Sequence, residues 1–199
     1  RGAAPINHAI MNGETETGVT TFFLEPSVDT GDIILQRSMP IGPDETAGSV
    51  HDRMKELGGE VVVETVRRIE AGTVDPQPQD DAAATPAPKI HDDDGRVPWD
   101  APAEDVHNHI RGLSPYPGAW TMHDDTRLKL YRSRRADGNG APGTVLEADD
   151  RLLVACGEGA VEIVTIQRPG RERLDAADFL NGYPLAPGDR LGTAASTES

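Results

Sequence analysis

This sequence of 199 residues is poor in cysteine, lysine, aromatic residues and long apolar runs. Its single cysteine, Cys156, excludes an intrachain disulfide and any zinc site that is built from several cysteines. No apolar run approaches the roughly 20 residues of a membrane-spanning helix, so we expect a soluble protein with no membrane partner. Only Lys55, Lys89 and Lys129 are lysines, so arginine supplies most of the positive charge.

The charge balance is strongly acidic. The chain has 34 aspartates and glutamates against 19 lysines and arginines, a formal net charge of −15 at pH 7. This balance argues against a protein that coats nucleic acid or anionic membranes non-specifically, because such binding depends on an excess of positive charge. A polyanionic partner would therefore have to meet a local basic patch. An acidic surface of this kind fits a salt-adapted protein or an acidic mesophilic domain, and the composition leaves both open.

Residue patterns in the first third of the chain predict an α/β unit, residues 1–72, which we call the first part. The pattern predicts a helix over 3–11, then strands over 18–24 and 33–39 with a turn between them. Asp44-Glu-Thr46 offers capping residues for a following helix, whose face is formed by Val50, Met54 and Leu57. Gly58-Gly59 interrupts that pattern, so we expect a separate helix to begin near Val61 and to end at Gly72.

The rest of the chain predicts a linker and a small all-β unit. Residues 73–91 are rich in Pro, Asp and Ala and lack both periodicities, as in an extended linker. Residues 92–191, the second part, are expected to begin with a helix over 102–113 and to end with a helix over 174–180. Between them, short strands at 119–122, 128–131, 143–147, 152–156 and 161–166 favour a small β-barrel. Residues 192–199 are predicted to be a flexible tail.

Asp29-Thr30-Gly31 is the sharpest local motif, and it has several interpretations. Asp and Gly around a Thr commonly form a turn in which a side chain caps its own backbone. An aspartic protease would need a second carboxylate to share a proton with Asp29, and the sequence contains no second copy of the motif. The third interpretation depends on motifs along the whole chain.

These motifs resemble the methionyl-tRNA formyltransferase family. In the first part they are Arg1-Gly-Ala-Ala-Pro-Ile6, Asn12 to Val19 and Asp29-Thr-Gly-Asp32, and in the second part Pro117-Gly-Ala-Trp120 and Ile166 to Arg173. Formyltetrahydrofolate dehydrogenase hydrolase domains and sugar-nucleotide N-formyltransferases share some of these stretches. The ending, which includes Phe179-Leu-Asn-Gly182 and Gly188-Asp-Arg-Leu191, is most similar to the tRNA enzymes.

The resemblance implies a fold, a reaction and several site residues. The fold is α/β, an incomplete Rossmann-like formyltransferase domain followed by a small OB-like β-barrel domain. The reaction transfers a formyl group from 10-formyltetrahydrofolate, without a metal, to the amine of methionyl initiator tRNA, in a cytoplasmic monomer. Asp29 matches the catalytic carboxylate, which would orient and charge a histidine. The adjacent residues are expected to line the folate pocket: Glu25, Pro26, Ser27 and Val28.

The family's catalytic Asn and His are expected upstream of Arg1. We therefore interpret the chain as a fragment or a truncated homologue, and expect negligible formyl transfer from these 199 residues alone. Two alternatives remain open at this point. One is a sugar-nucleotide amine N-formyltransferase, and the other is a non-catalytic RNA-binding fragment.

A cluster of basic residues is the candidate tRNA surface. In a strand that starts at Arg127, Leu128 and Leu130 should face the core, whereas Arg127, Lys129 and Tyr131 should face outward. Such a face suits phosphate contacts, although it would equally serve as a solubilising surface. A second basic group comprises Arg168, Arg171 and Arg173. With the family resemblance, we predict that tRNA binds to the first cluster: Arg127, Lys129, Arg132, Arg134 and Arg135.

The remaining candidate groups favour structural roles. Cys156 ends the apolar run Leu152 to Cys156, which is typical of a buried small side chain. His107 and His109 are two positions apart on a predicted helix and should point in different directions, which does not suit metal ligands. We therefore predict no metal site.

Overall fold

The computed structural model describes residues 1–27 and 29–192, apart from the side chain of Asp81. Of the predicted flexible tail, only Gly192 falls within these ranges, and residues 193–199 lie outside the described residues. None of the helices in the described part of the chain combines the length and apolar character that crossing a bilayer requires.

The first part consists of a β-hairpin and two helices. Helix α1 spans Pro5–Met11, strand β1 Glu16–Phe22, strand β2 Ile33–Pro40 and helix α2 Ala47–Glu70. The two strands are antiparallel, with Glu16 opposite Pro40 and Phe22 opposite Ile33. One side of the hairpin packs against α2, and a small core holds the unit together: Ile10, Met39, Ile41, Ala47 and Val50. The predicted strands and first helix are confirmed.

Helix α2 corrects the prediction of two separate helices. It runs without a break for 24 residues, through Gly58 and Gly59. Thr46 begins it as predicted, because its side chain accepts a hydrogen bond from the backbone of Ser49 in a capping box. Each glycine costs roughly 1 kcal/mol relative to alanine. Packing on β1 offsets this cost, since Val61 is fully buried and the Thr65 hydroxyl lies 2.8 Å from that of Thr21 on β1.

Residues 73–91 follow the surface of the first part instead of spanning open solvent. Gln77 and Ile33 exchange two backbone hydrogen bonds of 2.7 and 2.9 Å. Further along, the Ala87 N–H donates to the Arg1 carbonyl at 2.8 Å. The segment is therefore extended, as predicted, but it is bound to β2 and to the residues before α1. The division of the chain at residues 72 and 92 stays a prediction.

The second part is a curled antiparallel sheet with a helix at each end of its sequence. Its elements are α3 Ala103–Gly112, β3 Ala119–His123, β4 Thr126–Ala136, β5 Val145–Ala148, β6 Leu152–Ala155, β7 Ala160–Gln167, β8 Arg173–Asp175 and α4 Ala176–Leu180. The sheet order is β3-β4-β7-β6-β5, and β8 pairs with the C-terminal end of β7. The sequence pattern does not predict β8, and Leu174 lies in this strand and not in the last helix. The predicted small β-barrel domain is confirmed.

Residues 188–192 connect the two edges of this sheet. The Val145 N–H of β5 donates to the Asp189 carbonyl at 2.9 Å, and the Gly192 N–H donates to the Met122 carbonyl of β3 at 2.7 Å. The sequence predicts Gly192 in the flexible tail, but its hydrogen bond to Met122 makes it part of the barrel. The enclosed core contains fully buried side chains from α3, β4 and β7: Val106, Ile110, Leu128, Leu130, Ile163 and Ile166.

Helix α3 joins the two parts through buried polar side chains. His107 Nε2 lies 3.0 Å from the Pro43 carbonyl, and its Nδ1 lies 3.0 Å from the Ser133 hydroxyl. Arg111, which is only 5% exposed, donates to the carbonyls of Gly42 at 3.2 Å and Glu45 at 3.0 Å. Burial lowers the pKa of His107, whereas the Pro43 carbonyl acts in the opposite direction. The junction is thus held by hydrogen bonds to main-chain acceptors.

Candidate functional site

The Asp29 loop connects β1 to β2 and has an unusual backbone. Asp29 adopts φ = +57°, in the left-handed region that few residues other than glycine occupy. At Gly31, the Cβ atom of any other residue would stand 1.6 Å from the Phe23 carbonyl oxygen, so only glycine fits there. The Phe23 N–H donates to the Asp32 carbonyl at 3.0 Å and closes the base of the loop. Close approach of the chain to itself therefore fixes the path around Asp29.

Gln79 holds this loop from outside the hairpin. Its Nε2 donates to the carbonyls of Asp29 at 3.1 Å and Gly31 at 2.7 Å. Its Oε1 accepts a hydrogen bond from Arg1 Nη2 at 3.0 Å. Sequence reasoning missed Gln79, because a glutamine in a proline-rich segment carries no local signal for a contact with a residue 50 positions away. The bound segment 73–91 thus supplies a positioning side chain to the Asp29 loop.

The predicted folate residues lie on the outer edge of the same loop. Glu25, Pro26 and Ser27 are exposed, and the Ser27 carbonyl accepts a hydrogen bond from the Thr30 hydroxyl at 3.1 Å. Val28, also predicted to contact folate, lies outside the described residues. The structure brings the exposed residues Glu25 to Ser27 and the half-buried Asp29 together in one loop, and their roles stay predictions.

Arg127 and Lys129, the first two predicted tRNA-binding residues, bind other groups of the same chain. Arg127 binds the Asp92 carboxylate through two hydrogen bonds of 2.9 and 2.7 Å and stacks 4.0 Å from the centroid of the Trp120 ring. This hydrogen-bonded pair lowers the pKa of Asp92. Lys129 Nζ donates to the Pro117 carbonyl at 2.9 Å. Both cations thus make intramolecular contacts that the sequence did not predict.

Tyr131 faces outward from β4 as predicted, but it is covered by other side chains and is not free to meet a partner. It occupies the outer face of β4, but only 4% of its surface is exposed. The Arg173 guanidinium covers its ring at 3.7 Å from the centroid, and its hydroxyl donates to Gln167 Oε1 at 2.6 Å. Cation–π attraction and burial of the ring favour this stacked arrangement.

The outer face of the sheet carries a row of one aromatic and three polar side chains across four strands. Lys129 of β4 lies opposite Trp120 of β3 and Gln167 of β7, and Gln167 lies opposite Arg173 of β8. Directly opposed residues point to the same side of a sheet, so this row joins the two basic groups of the sequence. Beside it, a cavity of about 270 Å³ has Arg127, Lys129, Gln167 and Arg168 among its lining residues.

The other three predicted tRNA-binding residues lie further along β4. The register of β4 against β7 shifts on both sides of Arg132, which changes the facing of the side chains that follow. Arg132 and Arg134 are exposed and line a concavity that also contains Arg111. Arg135 is exposed and lies 3.5 Å from a carboxylate oxygen of Glu104. The cluster is therefore not one surface.

Cys156 and His109, two other candidate groups, are removed from solvent to different extents. Cys156 is 2% exposed, and burial raises the pKa of its thiol to about 11, which agrees with the predicted buried role. His109 is half-buried, and burial lowers its pKa. In residues 1–27 and 29–192, no three or more His, Cys, Asp or Glu side chains are grouped as metal ligands would be.

Comparison with known proteins assigns both parts of the chain. Residues 1–66 match the family described as formyl transferase, and residues 89–184 match the formyl transferase C-terminal domain. The chain belongs to the formyl transferase family. The two matches occur in the order that the sequence motifs predicted, and they confirm the α/β formyltransferase part followed by the β-domain.

Among the family members similar to this formyl transferase chain are proteins named methionyl-tRNA formyltransferase. That of Citrifermentans bemidjiense is 48% identical over 193 residues, which cover 96% of this chain and 61% of the relative. That of Geobacter sulfurreducens is 46% identical over 199 residues, which cover 100% of this chain and 63% of the relative. The chain therefore spans less than two thirds of the length of these relatives.

Solved structures share the fold. HypX from Aquifex aeolicus in complex with tetrahydrofolic acid has a TM-score of 0.69 and 26% identity, over 90% of this chain and 32% of that chain. An N-formyltransferase from Helicobacter canadensis has a TM-score of 0.66 at 20% identity, over 84% of this chain and 61% of that one. Methionyl-tRNA formyltransferase from Clostridium thermocellum has a TM-score of 0.53 at 20% identity, over 70% of this chain and 60% of that chain.

Proposed function

We propose that these residues belong to a methionyl-tRNA formyltransferase, which moves the formyl group of 10-formyltetrahydrofolate to the amine of methionyl initiator tRNA. The observation that carries the proposal is the 46–48% identity to proteins of that name over at least 96% of the chain, second part included. We further propose that it acts as a monomer in the cytoplasm, where initiator tRNA is charged and used.

The proposed reaction is an acyl transfer between two amines. The methionyl amine attacks the formyl carbon, and a C–N bond forms while the carbonyl oxygen becomes an oxyanion. The oxyanion then collapses, the bond to N10 of the folate breaks, the new amide loses a proton and N10 gains one. A site for this reaction needs a hydrogen-bond donor for the oxyanion and a group that accepts the amine proton.

Asp29 is our candidate for the carboxylate of this site. A carboxylate beside a histidine raises the pKa of the histidine and fixes the orientation of its ring. By the family resemblance, we expect that histidine outside the 199 residues. The left-handed backbone of Asp29, the lack of space at Gly31 and the hydrogen bonds from Gln79 support a role that needs a fixed loop. We propose that the folate contacts the residues that precede Asp29 in the sequence: Glu25, Pro26, Ser27 and Val28.

We propose that the outer face of the barrel binds tRNA. Arg127 and Lys129 have further N–H groups beyond those used within the chain, and Arg168 lines the same cavity. Arg132, Arg134 and Arg135 extend positive charge along β4. Because the chain is acidic elsewhere, such local groups are where phosphates would find a favourable potential.

The test is formyl transfer by the complete gene product. The protein would be incubated with radiolabelled 10-formyltetrahydrofolate and, in parallel, with methionyl initiator tRNA or a nucleotide-linked amino sugar. We expect label only in the tRNA. Label in the sugar nucleotide would support the sugar N-formyltransferase alternative, and tRNA binding without transfer would support a purely RNA-binding role.

A further inference from the structure

Tyr116 is the most exposed aromatic side chain of the protein. It is 83% exposed, whereas Trp99, Tyr131 and Phe179 are each at most 5% exposed. Aromatic residues make up only 4% of the chain, so a large ring in solvent is not expected from the composition. Tyr116 lies between Pro115 and Pro117, in the loop that connects α3 to β3.

The Tyr116 loop is held on several sides, so the exposed ring has a fixed base. The Gly48 N–H of α2 donates to the Ser114 carbonyl at 3.0 Å, and the Gly118 N–H donates to the Leu113 carbonyl at 2.8 Å. Proline has a fixed φ, which further limits the loop on both sides of the tyrosine. An exposed ring on a loop of this kind loses little conformational entropy when it stacks against a ligand.

Two cations of the outer sheet face bind the carbonyl groups on either side of Tyr116. Lys129 Nζ donates to the Pro117 carbonyl at 2.9 Å, and Arg173 Nη2 donates to the Pro115 carbonyl at 3.3 Å. An ammonium group has three N–H donors and a guanidinium five, so both retain donors for a phosphate. An exposed ring next to available cations matches the combination by which proteins hold unpaired nucleotides.

We propose that Tyr116 stacks against an unpaired base of the bound tRNA while Lys129 and Arg173 contact the adjoining phosphates. This inference rests on the proposed function, because it names a contact of the same RNA. Stacking accepts any base, so the contact would add affinity and position the RNA without reading its sequence.

The test compares Tyr116→Ala with Tyr116→Phe in the complete gene product. Binding of methionyl initiator tRNA would be measured over a salt series. A lost stack is worth about 1–3 kcal/mol per base, so Tyr116→Ala should weaken binding by between about 5-fold and 150-fold. The salt slope should stay unchanged, because no phosphate contact is removed. Tyr116→Phe keeps the ring and should bind within about 2-fold of the wild type, whereas Lys129→Gln should reduce the salt slope.

A fluorescent base separates stacking from a structural role. With 2-aminopurine at unpaired positions of the tRNA, one position should be quenched by the wild type and by Tyr116→Phe, but not by Tyr116→Ala. Equal affinity of Tyr116→Ala and the wild type, or a lower melting temperature without loss of affinity, would overturn this inference alone. Failure of the wild type to bind the tRNA would overturn the proposed function as well.

Discussion

Gln79 offers a sharp test of how the Asp29 loop is held. Its side chain makes three hydrogen bonds, to the carbonyls of Asp29 and Gly31 and from the Arg1 guanidinium. Gln79→Leu keeps a similar volume but removes all three. Gln77→Leu is a matched control, because Gln77 lies in the same segment and its side chain donates only to the Asp75 carbonyl, at 3.2 Å.

The size of the effect follows from these contacts. A neutral hydrogen bond contributes about 0.5–1.5 kcal/mol net, and the two bonds to the loop carbonyls together give about 1–3 kcal/mol. Gln79 is only half-buried, so competition from water favours the lower part of that range. The left-handed conformation of Asp29 itself opposes the loop by roughly 1 kcal/mol. A loss of about 1–2 kcal/mol lowers the equilibrium constant for the aligned loop by about 5-fold to 30-fold.

Steady-state formyl transfer by the complete gene product is the appropriate assay. With both substrates saturating, kcat of Gln79→Leu should fall by several-fold and by up to about 30-fold, while KM for tRNA and the melting temperature change little. Gln77→Leu should keep the wild-type kcat. A wild-type rate in Gln79→Leu, or equal losses in both variants, would refute the argument that Gln79 positions Asp29.

Four further outcomes are expected. Asp29→Asn should lower the rate of formyl transfer by about 100-fold to 10,000-fold with an unchanged circular dichroism spectrum, since acid–base partners contribute that much; an unchanged rate would make Asp29 only a turn residue. The double variant Arg132→Gln with Arg134→Gln should weaken tRNA binding and reduce its salt slope by about one to two contacts, and parallel salt lines of equal affinity would instead indicate a solubilising surface. Because burial raises the pKa of Cys156 to about 11, its thiol should resist a disulfide reagent at pH 8 until the protein is unfolded, and rapid labelling of the native protein would contradict its burial. Because burial lowers the pKa of His107, this histidine takes up a proton near pH 6.5 in the unfolded chain but only at lower pH in the folded protein. The free energy of unfolding should therefore decrease as the pH is lowered from about 6.5, and it should decrease less steeply in His107→Gln. Equal pH profiles for the wild type and His107→Gln would exclude this contribution.

Local sequence signals predicted most of the secondary structure, and contacts between distant residues explain the errors. The Thr46 cap and the helix α3 are encoded within a few residues, and both are predicted correctly. Gly58-Gly59 is a local signal that packing on β1 overrides. Tyr131 faces outward as strand alternation predicts, but Arg173 covers it from strand β8, which the sequence pattern does not predict.

In the candidate site, too, local features could be predicted from the sequence, whereas contacts between distant residues could not. Asp29 could be selected because the family motif surrounds it, and the outer position of Arg127 follows from strand alternation. The pairing of Arg127 with Asp92 joins residues 35 positions apart, and the support from Gln79 joins residues 50 positions apart. Neither contact has a counterpart in periodicity or turn chemistry.

The junction between the two parts depends unevenly on side-chain identity. Arg111 and His107 hydrogen-bond to carbonyl groups of residues 42, 43 and 45, and every amino acid carries a carbonyl group. The loop that contains residues 42–45 can therefore accept many substitutions that keep its backbone path. Few replacements for His107 and Arg111 could reach the same carbonyl groups. Substitutions at His107 and Arg111 should therefore disturb the relative orientation of hairpin and barrel more than substitutions at residues 42, 43 and 45.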